Sequence, residues 1–80
     1  MDDFKTKLQD GTANYQVTFH KIRIPTGWKF YVTLMNDGEI NTSFDMMKDG
    51  DGWKLVPPVP AWINEKEEEL SGIINSNIDV

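Results

Sequence analysis

The sequence has 80 residues, of which 39% are apolar and 26% are charged. This composition is too apolar for intrinsic disorder, and no apolar run approaches the ~18 residues of a membrane span, so we expect one small globular domain. With 13 acidic and 8 basic side chains, the net charge of −5 opposes non-specific binding to nucleic-acid phosphates and anionic membranes. The absence of cysteine excludes both a disulfide and a cysteine zinc site.

The N-terminal residues 1–13 are mostly polar, and we expect a flexible or loosely packed segment ahead of a single domain over residues 14–80. Phe4 and Leu8 stand one helical turn apart, so the alternative is that this segment covers an apolar part of the domain. Residues 1–5 lack the basic and apolar regions of a secretory signal, and we therefore expect a cytoplasmic protein.

Alternating apolar and polar residues predict β-strands in four stretches separated by glycine-containing turns. The predicted strands run from Asn14 to Ile24, Trp28 to Met35, Ile40 to Met47 and Trp53 to Val56. Their short links favour an antiparallel meander in chain order.

The turns predict how these strands pair. Pro25-Thr26-Gly27 and Asn36-Asp37-Gly38 fit three-residue loops that end on a left-handed glycine, and Asp49-Gly50 fits a two-residue turn. The resulting registers give two apolar rows on one face, Ile24-Trp28-Met46-Trp53 and Ile22-Phe30-Phe44-Leu55, and an ionic row on the other, Arg23-Lys29-Asp45-Lys54.

A helix is predicted after the proline-rich connector of residues 56–60, because Pro60 suits the first turn of a helix. Five apolar residues then share one stripe at helical spacing: Trp62, Ile63, Leu70, Ile73 and Ile74. We therefore predict an α+β domain of ββββα order, a four-stranded antiparallel meander with one C-terminal helix packed on one face. Trp28, Trp53 and Trp62 would form one aromatic cluster in its core.

The first predicted strand contains a conflict of phase, because the Tyr15-Val17-Phe19 alternation is out of step with Ile22 and Ile24. A bulge near His20-Lys21 would turn all five side chains inward. Without a bulge, the open face of the sheet would carry an apolar patch that includes Val17, Phe19 and Met35, and this patch would need a cover. Both arrangements remain open at this point.

The open face also carries a basic strip with one aromatic residue: Lys21, Arg23, Lys29, Tyr31 and Lys54. Such a strip suits an acidic protein partner, and single-stranded nucleic acid, bound weakly by phosphate contacts and stacking, is the alternative ligand. An exposed edge strand is a further route to protein binding.

No motif for chemistry is found. A calcium loop around Asp49 and Asp51 would need a glutamate where Val56 stands, and His20, the single histidine, has no cysteine near it. Neither a nucleophile elbow nor a phosphate-binding glycine loop is present. We therefore expect a non-enzymatic protein-interaction module without cofactor or metal, which binds another protein or a second copy of itself and no membrane.

Overall fold

The computed structural model describes residues 3–77 as an antiparallel sheet of five strands with two helices after it. The strands follow one another across the sheet in chain order: β1 (Phe4–Asp10), β2 (Ala13–Ile24), β3 (Gly27–Asn36), β4 (Glu39–Asp49) and β5 (Gly52–Leu55). The helices are α1 (Ala61–Asn64) and α2 (Glu67–Asn77). The predicted α+β class with an antiparallel meander is confirmed, whereas the predicted counts of four strands and one helix are wrong. No helix in this part of the chain is long and apolar enough to cross a membrane.

The additional strand is β1, which lies in the segment expected to be flexible. Its side chains alternate between core and solvent, with Leu8 buried and Phe4 half-buried. The ring of Phe4 stacks on that of Phe19 in β2, with 4.7 Å between ring centroids. Phe4 and Leu8 therefore do contact the core, as residues of an edge strand with period two rather than as a helical turn.

The turn between β2 and β3 is one residue shorter than predicted. Ile24 pairs with Gly27, so that only Pro25 and Thr26 form the loop, and β2 pairs with β3 without interruption. Neighbouring residues of a strand point to opposite faces. The difference of one residue in loop length therefore moves each side chain of β2 to the face opposite the predicted one. Val17 and Phe19 point into the core with no bulge near His20, and Ile22 and Ile24 point to the other face. The inward direction of Val17 and Phe19, predicted with the bulge, is therefore confirmed. The bulge itself, the inward placement of Ile22 and Ile24, and the unbulged alternative with its apolar patch are wrong.

The next two turns also differ from the prediction: the β3–β4 turn is one residue shorter, since Asn36 pairs with Glu39, and the β4–β5 loop lies one residue later. Asp37 and Gly38 both have positive φ, 55° and 81°, and a bulge between Leu34 and Met35 follows. Val32 then pairs with Phe44, and in the next hairpin Met46 pairs with Leu55. With an offset of two residues, the side chains of β5 and those of β4 beyond the bulge lie on their predicted faces.

The core lies between the inner face of the sheet, which is the face covered by the helices, and one side of those helices. Ile63, Leu70 and Ile74 are its buried helical residues. The strands contribute the remainder: Leu8, Val17, Phe19, Phe30, Val32, Leu34, Phe44, Met46, Trp53 and Leu55. The predicted helical stripe is thus confirmed, although the helix is divided where the Lys66 N–H bonds to the Ile63 carbonyl at 2.8 Å in a tighter turn.

Helix α2 also covers the outer edge of β5 with side chains spaced four residues apart. Glu67 Oε2 accepts a hydrogen bond from the Leu55 N–H, and Ser71 Oγ accepts one from the Trp53 N–H, both at 2.9 Å. A Cβ atom on Gly52 would lie 3.0 Å from Ser71 Oγ, so glycine at this position permits the close approach. Edge donors that would otherwise remain open to another strand are thereby satisfied within the molecule.

Candidate functional site

The structure divides the predicted basic strip between the two faces of the sheet. Lys29, Tyr31 and Lys54 lie on the outer face as predicted, because β3 and β5 keep their predicted faces. Lys21 and Arg23 lie on the inner face, because the shorter β2–β3 turn exchanges the faces of β2. The five residues do not form one surface.

The cations that remain on the outer face are paired with carboxylates. Lys29 Nζ lies 3.3 Å from Asp45 Oδ2, and Lys54 Nζ lies 3.5 Å from Asp49 Oδ2. The Tyr31 hydroxyl donates a hydrogen bond to Ser43 Oγ at 2.9 Å. Of the predicted ionic row, the contact between Lys29 and Asp45 is present, whereas Arg23 is on the opposite face. The two lysines of the predicted strip that lie on the outer face are therefore each paired with a carboxylate.

The candidate apolar patch is wrong in the structure. Val17 and Phe19 are fully buried on the inner face, and Met35 is half-buried on the outer face. The patch depended on Val17 pairing with Met35, whereas Val17 pairs with Leu34. These apolar side chains belong to the core and are not available to a partner.

The histidine of the chain joins the start of β1 to β2. His20 Nδ1 lies 3.0 Å from Asp3 Oδ2, and the other oxygen of this carboxylate accepts a 3.4 Å hydrogen bond from the Lys21 N–H. Among residues 3–77, no three potential metal-ligating side chains lie together. The hydrogen bonds of Asp3 tie the start of β1 to β2 at the sheet rim.

A concave site is found at the end of the sheet where the β2–β3 and β4–β5 turns lie. This cleft has a volume of about 320 Å³ and is lined mainly by six side chains: Lys21, Ile24, Trp28, Met47, Lys48 and Trp53. We call it the Trp28 cleft. Trp28 is 42% exposed, whereas Trp53 at the inner side is 5% exposed and packs edge-on against Phe30, 4.9 Å between centroids.

Three cations surround these two indole rings. Lys21 Nζ lies 4.5 Å and Arg23 Cζ 5.7 Å from the ring centroid of Trp28, and Lys48 Nζ lies 5.3 Å from that of Trp53. Among the described residues, no carboxylate is within 4.0 Å of any of the three cationic groups. The cleft therefore combines apolar walls with three positive charges that have no acidic partner in residues 3–77.

This arrangement suits a ligand that carries an apolar or aromatic group next to negative charge. The indole faces attract both apolar surface and cations, so the lysines are held where an incoming carboxylate would meet them. Sequence reasoning missed Lys48 and assigned Trp28 to the core. The sequence did contain a sign of this placement. Alternate residues of a strand share a face, so Lys21 and Arg23 belong on the same face as Val17 and Phe19.

The predicted cluster of three tryptophans is also wrong. Trp62 stacks on Tyr15, 5.1 Å between centroids, at the opposite end of β2 from the Trp28 cleft.

Comparison of the chain with protein-family models, with curated protein sequences and with solved structures gives no match.

Proposed function

We propose that this chain is a non-catalytic protein-recognition module, and that its Trp28 cleft binds an acidic segment of a partner protein. An apolar side chain of that segment contacts Trp28, and flanking carboxylates pair with Lys21, Arg23 and Lys48. The observation that carries the proposal is the group of three cations at two neighbouring indole rings, in a chain with a net charge of −5. Two of them lie over the half-exposed Trp28 and the third over Trp53, and none has a carboxylate partner among residues 3–77.

The size and chemistry of the cleft support this kind of ligand. A volume of about 320 Å³ is at the small end of ligand-binding clefts, which favours the insertion of one or two side chains. Tryptophan and arginine contribute large shares of binding energy at protein interfaces when a partner removes them from water. Since the rest of the protein is acidic, an acidic partner is attracted locally and repelled at long range, so we expect moderate affinity.

The experiment uses a soluble peptide with one phenylalanine flanked on both sides by aspartates, titrated into the full chain by calorimetry. We expect Trp28→Ala and the double variant Lys21→Gln/Lys48→Gln each to weaken binding about tenfold or more. The matched control is Lys54→Gln, because Lys54 is equally basic but is paired with Asp49 on the outer face. Equal affinity of all variants, or no binding by the unmodified chain, would contradict the proposal.

Single-stranded nucleic acid is the second candidate ligand, and the exposed ring of Trp28 is the observation that favours it. A base stacked on an indole between Lys21 and Arg23 would use both stacking and phosphate contacts. Titration with a short oligothymidylate separates the candidates. Binding of this probe that falls steeply with salt, together with failure of the acidic peptide, would favour nucleic acid.

A further inference from the structure

The two edges of the sheet differ in how their backbone groups are satisfied. On β5, side chains of α2 accept hydrogen bonds from both outward N–H groups, those of Trp53 and Leu55. On β1, Lys66 Nζ donates a hydrogen bond to the outward carbonyl of Gln9 at 3.3 Å. Within residues 3–77, no other side chain bonds to the outward backbone groups of this strand. The edge of β1 is therefore the accessible one.

The register identifies the groups that β1 leaves open. Asp10 pairs with Ala13 across a two-residue turn, and the two strands are in register from there to the pair of Phe4 with Phe19. In an antiparallel ladder, alternate residues bond to the neighbouring strand and the others face away from it. The N–H and C=O groups of Lys5 and Lys7 therefore point to the open edge, as the carbonyl of Gln9 does.

The side chains along this edge define the partner that fits it. Lys5 and Lys7 are exposed on the outer face, and among the described residues neither has a carboxylate within 4.0 Å. Phe4 lies half-buried on the inner face between them and the core. A strand added here would place acidic side chains opposite the two lysines and apolar side chains beside Phe4 and Leu8.

We propose that the β1 edge binds an extended acidic segment of a partner protein as a sixth, antiparallel strand. A second copy of this chain fits the edge poorly, because two β1 strands in full overlap would bring Lys7 opposite its own counterpart, and like charges in such pairs are destabilising. This surface is distinct from the Trp28 cleft, since none of the residues that line the cleft belongs to β1.

The probe is a peptide of alternating glutamate and valine, observed by amide hydrogen exchange and NMR titration of the full chain. The Lys5 and Lys7 amides exchange rapidly in the free protein and are protected in the complex. Methylation of the glutamate nitrogens abolishes binding, because residues opposite the lysines bond to β1, whereas methylation of the valine nitrogens leaves it within about twofold. Equal loss with both peptides, or no protection at Lys5 and Lys7, overturns the proposal.

Variants distinguish this edge from the cleft. The double change Lys5→Glu/Lys7→Glu weakens binding of the alternating peptide about tenfold, and Lys5→Gln/Lys7→Gln weakens it by a smaller factor. In the Trp28→Ala variant, whose cleft is impaired, the peptide still protects the Lys5 and Lys7 amides. If Trp28→Ala instead removes binding while the β1 variants retain it, the acidic strand occupies the Trp28 cleft, so that the edge proposal fails and the proposed function stands.

Discussion

The three tryptophans show how residue position decides the role of one residue type. Trp53 is buried, contacts Phe30 and donates its indole N–H to Asn75 Oδ1 at 3.2 Å. Trp28 is on the same face of the sheet but is 42% exposed beneath two cations. The composition alone predicts a shared core role, because large aromatic residues contribute most to cores and interfaces alike.

This difference predicts opposite consequences for two matched substitutions. Trp53→Ala would leave a large cavity beside Phe30 and remove the hydrogen bond to Asn75 Oδ1, and we expect it to lower the free energy of unfolding by about 3–5 kcal/mol. Trp28→Ala removes a half-exposed ring, for which we expect a loss below about 1 kcal/mol. Urea denaturation followed by circular dichroism measures both. A loss on Trp28→Ala as large as that on Trp53→Ala would mean that Trp28 supports the fold rather than a binding site.

At the scale of elements, the predictions succeed where strand faces are determined by alternation and fail where they depend on loop length. β3, β4 and β5 kept their predicted faces, because a bulge compensated for the shorter β3–β4 turn and the β4–β5 register moved by two residues. β2 exchanged its faces because the turn at Pro25 closed one residue earlier. A proline followed by threonine and glycine fits both loop lengths, so local turn chemistry did not decide between them.

β1 was missed because two apolar residues four apart satisfy both helical and strand spacing. Phe4, Thr6 and Leu8 also alternate with lysines, which is the pattern of an edge strand. The strand pairs with the part of β2 that contains Tyr15, Val17 and Phe19, and its apolar residues lie on the same face as these three. The division of the C-terminal helix near Lys66 has no comparable signal, because the glutamates around it all favour helix.

The contact between α2 and β5 leads to a prediction for Ser71. Ser71→Ala removes the acceptor of the Trp53 N–H in a part-buried position, and we expect it to lower the free energy of unfolding by about 1–2 kcal/mol. Ser76→Ala is the matched control, because it makes the same change at an exposed position of the same helix. The amide exchange of Trp53 should accelerate in the first variant only. Equal stability of both variants would contradict a covering role for α2.

At the scale of the whole molecule, charge is separated more strongly than the net value indicates. The acidic residues of the first turn of α2, Glu67 to Glu69, lie on the helical layer. The cations without a carboxylate partner among residues 3–77 lie on the β1 edge and at the Trp28 cleft. The cleft draws on β2, β3, β4 and β5, so it exists only when all three registers are correct. The class of fold could therefore be predicted from the sequence. The candidate site could not, because an error of one residue in the β2–β3 register places Lys21 and Arg23 on the outer face, away from the cleft.

The same distribution predicts that the chain is a monomer. The apolar surface considered for self-association is absent, since Val17 and Phe19 are buried, and pairing of two β1 edges would oppose lysines. We expect light scattering on a size-exclusion column to give 9.2 kDa across a hundredfold range of concentration at low salt. A dimer that forms only at high salt would indicate that screening permits β1 edges to pair. A dimer at low salt that Trp28→Ala dissociates would show that the cleft binds the acidic surface of a second copy.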